Sequence, residues 1–461
     1  MSEFAPGKSS SADIHSLLWG LRDAMQAEES KSVEWDRILD YCTNVVAAPP
    51  EQVRLVWEGG SEALSGWHIS GVARLLDVGI STQRLEPSSR VLCILLSMME
   101  SVQASRPNGV AESDGSREPW DSALDDAGSL TLTALLQYAH QIGWRDPDRS
   151  KGGWEAWNRL DPDVKAVLER QLSLGSRLTK SARSVFGRFL PHLAWLDYHW
   201  TQENLGLILP VHDARGEEWW AAWASYLLLS EFYRKMMPLL RDEYLRGVSR
   251  LAGDRPPWAE RSDLGLALHI MNAMCLDVEP YSCEASLSRA FFEKAPAQQR
   301  GEAVRSLGNW VRERAFPEFD KVWTMLKRLW RERVAETSPR DSEELAEFAF
   351  WLEGASEGPS AIRDLIQPII GPAITHHQGT FLIRYLARHA GDQPAAVELL
   401  NAFLQALKPG WIVYPKQEIR SILHAARASN SEDAVRALDD AVNRLGELGS
   451  KEFRDLLPEA A

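Results

Sequence analysis

The sequence predicts an all-α fold: a degenerate array of helical hairpins, an α-solenoid of the tetratricopeptide or HEAT kind, with essentially no strand. Three observations point there. Apolar residues recur at intervals of three and four along nearly all of the 461-residue chain, the spacing that gathers them on one helix face. The helical segments come in pairs at roughly 35–45 residue spacing, the range of helical repeats, although no fixed consensus recurs. The 19 tryptophans fall mostly inside helical periods. Each ring buries about 200 Å² and bridges two helices, which suits many modest contacts better than one large centre.

Residues 1–12 are small and polar and read as a flexible tail. The first half of the array then runs over 13–251. Trp35, Ile38, Leu39, Cys42, Val45 and Val46 give an apolar stripe that Pro49 and Pro50 terminate. Helices follow at 51–57, 67–78 and 88–102. The run 104–119, rich in Ser, Gly, Pro and charge, reads as a mobile loop. A helix over 129–142 comes next. Asp161 before Pro162 is a capping acid followed by proline at the first helical position, so a helix should start there and run through Leu174.

The stretch from Ser184 to Arg250 reads as three amphipathic helices joined by two loops, and it organises the rest. Val185, Phe189, Leu193 and Leu196 line one face of the first; Trp219, Trp223 and Leu227 line the second. Residues 252–261, AGDRPPWAER, interrupt the pattern and mark the expected division of the chain. The second half, 262–448, continues as helices at 264–275, 283–294, 297–314, 319–333, 360–370, 381–389, 395–407, 415–428 and 432–448. Asp341 and Glu344 form a D-x-x-E helix start ahead of Leu345, Phe348 and Leu352. Only Trp411 to Tyr414 looks extended, and 449–461 reads as a tail.

Composition bounds the function classes. A formal charge of −14 argues against a global affinity for nucleic acid or anionic membrane. The four cysteines, Cys42, Cys93, Cys275 and Cys283, include no C-x-x-C pair, and they read as buried thiols of a reduced cytoplasmic protein. The N-terminus lacks an export signal, and the longest apolar run, 91–99, is too short to cross a bilayer.

Chemistry-bearing motifs do not appear. There is no phosphate-cradling G-x-x-x-x-G-K-[ST], no G-x-S-x-G elbow, no H-E-x-x-H and no Cys/His ligand ladder, so neither a cofactor nor a metal is expected and no catalytic residue is assigned. His192 and His199 sit seven apart with His212 in the following loop, but aromatic neighbours without a carboxylate at ligand spacing make them packed or solvated histidines. His376 and His377 suit a helix start. The carboxylate pairs Glu217–Glu218, Glu343–Glu344 and Asp439–Asp440 read as helix-end and solvated acids. One basic cluster, Arg312, Arg314, Lys321, Lys327, Arg328, Arg331 and Arg333, is interleaved with Trp323 and Trp330. Its cations suit either a phosphate-facing patch or a solvated outer face over core aromatics.

Four stretches carry a resemblance: WDRILDYCTNVV from Trp35; WLDYHWTQENLGLILP from Trp195 with the WWAAWASYLLLSEFYRKMMPLLRDEYL that follows; EELAEFAFWLEGASEGPSAIRDLIQPII from Glu343; and HQGTFLIRYLARHAGDQPAAVELLNAFLQALKPGWIVYPKQEIRSILHAAR, ending in AVNRLGELGSKEFRDLL. In their order and spacing they resemble, from about Val33 to Leu457, the helical C-terminal sensor region of large bacterial antiphage proteins, in which a signal-transduction NTPase or sirtuin-like NAD hydrolase module precedes a helical array. Those modules are absent from these residues, so their activities are not carried over. The resemblance implies recognition of a phage-encoded or other foreign protein by the concave face of the array. The signal would pass to a separate NTPase or effector module, with oligomerisation on activation.

Aromatic and arginine side chains near predicted loops are the expected contacts: Trp154, Trp258, Arg328, Arg331 and Trp411. Two other readings stand beside the sensor, a general protein scaffold without an immune role and nucleic-acid contact through 312–333. An enzyme would instead need polar groups converging in a deep pocket.

Overall fold

Wherever apolar side chains return every third or fourth residue, the backbone closes its own hydrogen bonds as a helix and leaves one greasy stripe for a neighbour to cover. A computed structural model describes residues 11–26, 34–48, 66–105, 117–145, 158–211, 216–253, 255–277, 286–316, 318–336, 342–371, 373–408, 415–429 and 431–457. Among them the fold is all-α. No strand occurs, only one bridge between Asn158 and Asp197. The chain divides into two units: Met1–Leu239 with Asp254–Ser262, and Leu240–Gly253 with Asp263–Ala461. The expected division at 252–261 is thus one of three crossings rather than a single linker.

The first unit holds α1 (Ser11–Gln26), α2 (Trp35–Ala47), α3 (Trp67–Ser81), α4 (Ser89–Ser105), α5 (Pro119–Ala123), α6 (Ala127–Arg145), α7 (Pro162–Leu172), α8 (Lys180–Leu196), α9 (Tyr198–Ile208) and α10 (Glu217–Leu229). The most extensive pairings are α8 with α10, α3 with α6 and α1 with α3; α4 also packs on α6, and α5, α6 and α9 pack on α8. Asp161 caps α7 as expected, its Oδ1 accepting from the amides of Asp163 at 2.9 Å and Val164 at 3.3 Å.

The central stretch differs from expectation at Asp197. That residue is extended (φ −151°, ψ 95°), caps the amide of Trp200 at 3.0 Å, and so ends α8 and starts α9. Leu196, freed at the helix end, gives its carbonyl to the amide of Arg159 at 2.8 Å. His192 and His199 therefore lie on different helices, and His199 is exposed. The α8–α10 crossing depends on Gly187, because a Cβ there would lie 1.9 Å from the carbonyl oxygen of Ala222. Buried Arg183 fastens the same region, donating to Gly175 O at 2.6 Å and Leu207 O at 3.0 Å and pairing with Glu218 at 2.7 Å.

From Met237 to Arg250, α11 carries the chain into the second unit, where α12 (Ser262–Cys275), α13 (Leu287–Lys294), α14 (Ala297–Glu313), α15 (Phe319–Glu336), α16 (Ser342–Ala346), α17 (Arg363–Ile366), α18 (His376–Arg388), α19 (Ala395–Ala406), α20 (Lys416–Arg427) and α21 (Glu432–Glu447) follow. Two expected helices are cut short. Residues Glu347–Glu353 wind as a 3₁₀ helix, and 360–370 form only α17 and a 3₁₀ turn before Pro368 and Gly371 end them. The bend after Glu353 is held by Arg388, which donates to the carbonyls of Glu353 and Leu352 at 2.8 Å and of Ala355 at 3.1 Å. Tyr385 Oη donates to Glu357 O at 2.8 Å, and Asp392 accepts from the amide and hydroxyl of Ser360 at 2.7 and 2.8 Å.

The expected tail at 449–461 is corrected in part. Lys451–Leu456 is a 3₁₀ helix that buries Phe453 and Leu456 against α20 and α21. Cys42 and Cys275 are buried, and burial pushes the Cys42 thiol up to about 12, whereas Cys93 is exposed, contrary to expectation. The expected helix at 51–57, the extended run 411–414, Cys283, His212 and most of the loop 104–119 lie outside the described residues.

Candidate functional site

The expected contact residues do not gather. Trp154 and Trp411 lie outside the described residues. Trp258 is buried at 6 % exposure, edge-on to Trp120 with ring centroids 6.4 Å apart, so it packs α5 and offers no surface. Its local sequence, flanked by Pro257 and charge, concealed this, because the burying partner lies far back in the chain. Arg328 and Arg331 are about half exposed, but each faces an acid: Arg328 Nε is 2.9 Å from Glu332 and Arg331 Nε 3.6 Å from Asp364.

Six of the seven cations of the basic cluster face carboxylates. Arg312 pairs with Glu313 and Glu353, Lys321 with Asp277 and Glu318, Lys327 with Glu357, and Arg333 with Glu336 and Glu344. Arg314 lies over the Phe319 ring, 4.7 Å from its centroid. Trp323 and Trp330 are core, the latter stacked on Phe348 at 5.2 Å. A row of cations whose partners are already carboxylates has little left for phosphate.

Glu344 corrects a second expectation. Instead of sitting solvated at a helix end it is 1 % exposed, with Arg333 Nε 2.7 Å from Oε1 and Arg300 Nε 2.5 Å from Oε2. The knot joins α14, α15 and α16. Spacing could not reveal it, since the two arginines are separated from the acid by 44 and 11 residues.

The place with chemistry left over is in the first unit. His140 and Trp144 are four apart on α6, and His192 and Trp195 three apart on α8, so each pair shares a helix face. The two faces meet because α6 carries Gly143, where a Cβ would stand 2.5 Å from Leu196 Cδ2 and 2.9 Å from Trp195 Cζ3. His140 lies edge-on to His192 at 4.5 Å between centroids and 5.3 Å from Trp195; Trp195 is 6.2 Å from Trp144. Trp144 is 48 % exposed, the outer wall of an otherwise half-buried cluster.

Its polar atoms are poorly served. His192 Nδ1 is buried and accepts or donates no hydrogen bond. Burial pushes the His192 imidazole down to about 4, with His140 and Arg188 adding to the effect, and burial lowers His140 too. Burial raises the Asp77 carboxyl, opposed by Arg188. Both imidazoles are therefore neutral at pH 7. Exposed aromatic surface here stands in front of a buried nitrogen without a hydrogen bond and of imidazoles whose titrations burial displaces.

Among the described residues no group of three or more His, Cys, Asp or Glu side chains is placed to hold a metal ion, and no helix is long and apolar enough to cross a membrane. A surface depression of about 320 Å³ between α19 and α21 is open and lined by Glu398, Asn401, Gln405, Asp433, Arg436 and Asp440. No family model matches the chain, and no curated protein matches it.

Proposed function

We propose that this chain is a non-catalytic protein-recognition module, the sensor part of a bacterial antiphage defence system. In this reading it binds a foreign protein and passes the event to an NTPase or effector module elsewhere. The observation that carries the recognition half is Trp144: a large amphipathic ring, 48 % exposed, backed by Trp195 and two imidazoles on helices that hold it still. Rigid aromatic anchors of this kind supply most of the binding energy of protein interfaces. What supports the antiphage half is the resemblance of the four stretches described above, and it stands as analogy. Signalling would follow from differential affinity, the partner binding one conformation better than another.

The test is co-expression of the full chain with a panel of phage structural and packaging proteins. One of them should co-purify with the native chain and be lost from Trp144→Ala, whose circular dichroism and thermal midpoint stay close to the parent. A partner present equally in uninfected cells, or one that Trp144→Ala retains, would sink this reading in favour of a general scaffold.

A further inference from the structure

The imidazole pair has a second consequence that concerns control of the same face. We infer that His140 and His192 form an acid-sensitive hinge pin, and that protonating them separates α6 from α8 and dismantles the Trp144–Trp195 face. As regulation of that face, the inference rests on the recognition reading for its biological use. Its physics does not.

The geometry leaves no room for two cations. The rings meet edge to face at 4.5 Å, and Phe189, 5.4 Å from His192, closes another side. Arg188, one helical turn before His192, adds a fixed positive charge. The acids on the helices packed against α6 and α8 are Asp77 on α3, Glu100 on α4, Asp121 on α5, Glu203 on α9, and Glu217 and Glu218 on α10. None hydrogen-bonds to either imidazole. Glu217 and Glu218 pair with Lys180 and Arg183 at the start of α8, and Asp77 stands as a carboxyl that burial biases toward its neutral form. An imidazolium formed here would find a second imidazole, a guanidinium and aromatic edges, and no counter-charge. Charge without a partner in such a place is relieved by opening.

The experiment follows the histidine ring protons of the full chain by NMR from pH 7.5 to 4, with no partner present, alongside hydrogen exchange of residues 138–145 and 189–196. The assigned His140 and His192 signals should both titrate below the ordinary value, that of His192 near pH 4; His68 and His389, lowered as well, are assigned separately. Exchange in those segments, corrected for its intrinsic pH dependence, should rise at least tenfold between pH 6.5 and 4.5. Replacing Arg188 with Gln should move the His192 midpoint upward. The double variant His140→Phe, His192→Phe keeps rings in both positions and should lose most of the acid-induced rise, the remainder coming from His68 on α3. Ordinary midpoints for both rings, or an undiminished acid response in the double variant, would overturn the inference. Should the double variant fail to fold, the parent titration and Arg188→Gln still decide it. Retention of a partner by Trp144→Ala, by contrast, would bear only on the recognition reading.

Discussion

Two polar clusters, one in each unit, make opposite use of burial. At Glu344 a carboxylate is taken fully out of water and given two guanidinium groups, one from α14 and one from α15, and Glu336 takes the second face of Arg333, so three helices share a knot of two cations and two acids. At His140 and His192 the buried polar atoms receive no counter-charge, one nitrogen has no hydrogen bond, and a tryptophan is left half in solvent. The first cluster spends its polar chemistry internally and has none to offer; the second keeps some available. That difference, rather than depth or charge alone, is what separates a structural lock from a place suited to meet another molecule.

The largest effect should come from breaking the lock asymmetrically. Glu344→Ala removes the buried carboxylate that Arg300 and Arg333 share, leaving Arg333 the exposed Glu336, and should cost about 3–5 kcal/mol. It would be read as a lowered urea midpoint and faster hydrogen exchange through α14–α16. Replacing all three residues together, Arg300→Met, Glu344→Leu and Arg333→Met, should recover most of the loss, because no charge then remains to be desolvated. A triple variant as unstable as Glu344→Ala would show that the knot matters for its packing against Phe292, whose ring lies 5.6 Å from the Arg333 guanidinium carbon, and not for charge balance.

Acid should distinguish the clusters next. His192 and His68, both in the first unit, are pushed down to about 4 by burial. Above their unfolded value near 6.5 neither state is protonated and nothing is lost. Between pH 6.5 and 4 the unfolded chain takes up protons that the folded one refuses, so the first unit should lose about 2–3 kcal/mol per histidine. In the second unit burial lowers His389 and adds a loss in the same window, but Glu357 behaves differently. Burial pushes its carboxyl up, yet hydrogen bonds from Lys327 and Trp323 outweigh that and hold it low, so its contribution is present above its ordinary 4.5 and disappears only as pH falls below it. Hydrogen exchange at pH 5 should show α6 and α8 opening before α14–α16; the reverse order would mean that the imidazole cluster is no weaker in acid than the Glu344 knot.

Trp144→Ala should have a smaller effect on stability. The ring is about half exposed and lies tilted against Trp195 rather than closely stacked on it, so the cost should be about 1 kcal/mol, seen as a shift of a few degrees in thermal midpoint. A much larger loss would mean that Trp144 is a packing residue, and would weaken its assignment as a contact.

How much of this was legible in the sequence follows from the range of each interaction. Local signals survived folding: the Asp161–Pro162 start, the buried stripe of α8 and the seating of His376 and His377 behind the Thr375–Gln378 capping box are settled by residues within four positions of one another. Long-range pairings were invisible. Glu344 looks like a helix-start acid until α14 and α15 arrive with their arginines, and Trp258 looks exposed until Trp120 covers it. The imidazole cluster was half visible, since aromatic neighbours around His192 were plain, but its partner His140 lies 52 positions earlier and only Gly143 lets the helices close.

The smallest effects sharpen the comparison from the other side. Arg328 and Arg331 are as exposed as Trp144, and on composition alone all three are interface residues. Each arginine, however, faces a carboxylate on its own unit across solvent, Arg328 within one turn of α15 and Arg331 toward α17. Such pairs are worth well under 1 kcal/mol, so Arg328→Ala and Arg331→Ala should each shift stability by less than about 0.5 kcal/mol. They should also leave co-purification of any partner captured through Trp144 unchanged at physiological salt, where exposed charges beyond about 8 Å are screened. Loss of the partner in either variant would move the binding surface to the second unit, and would mean that a cation already paired with an acid can exchange that acid for another on a partner.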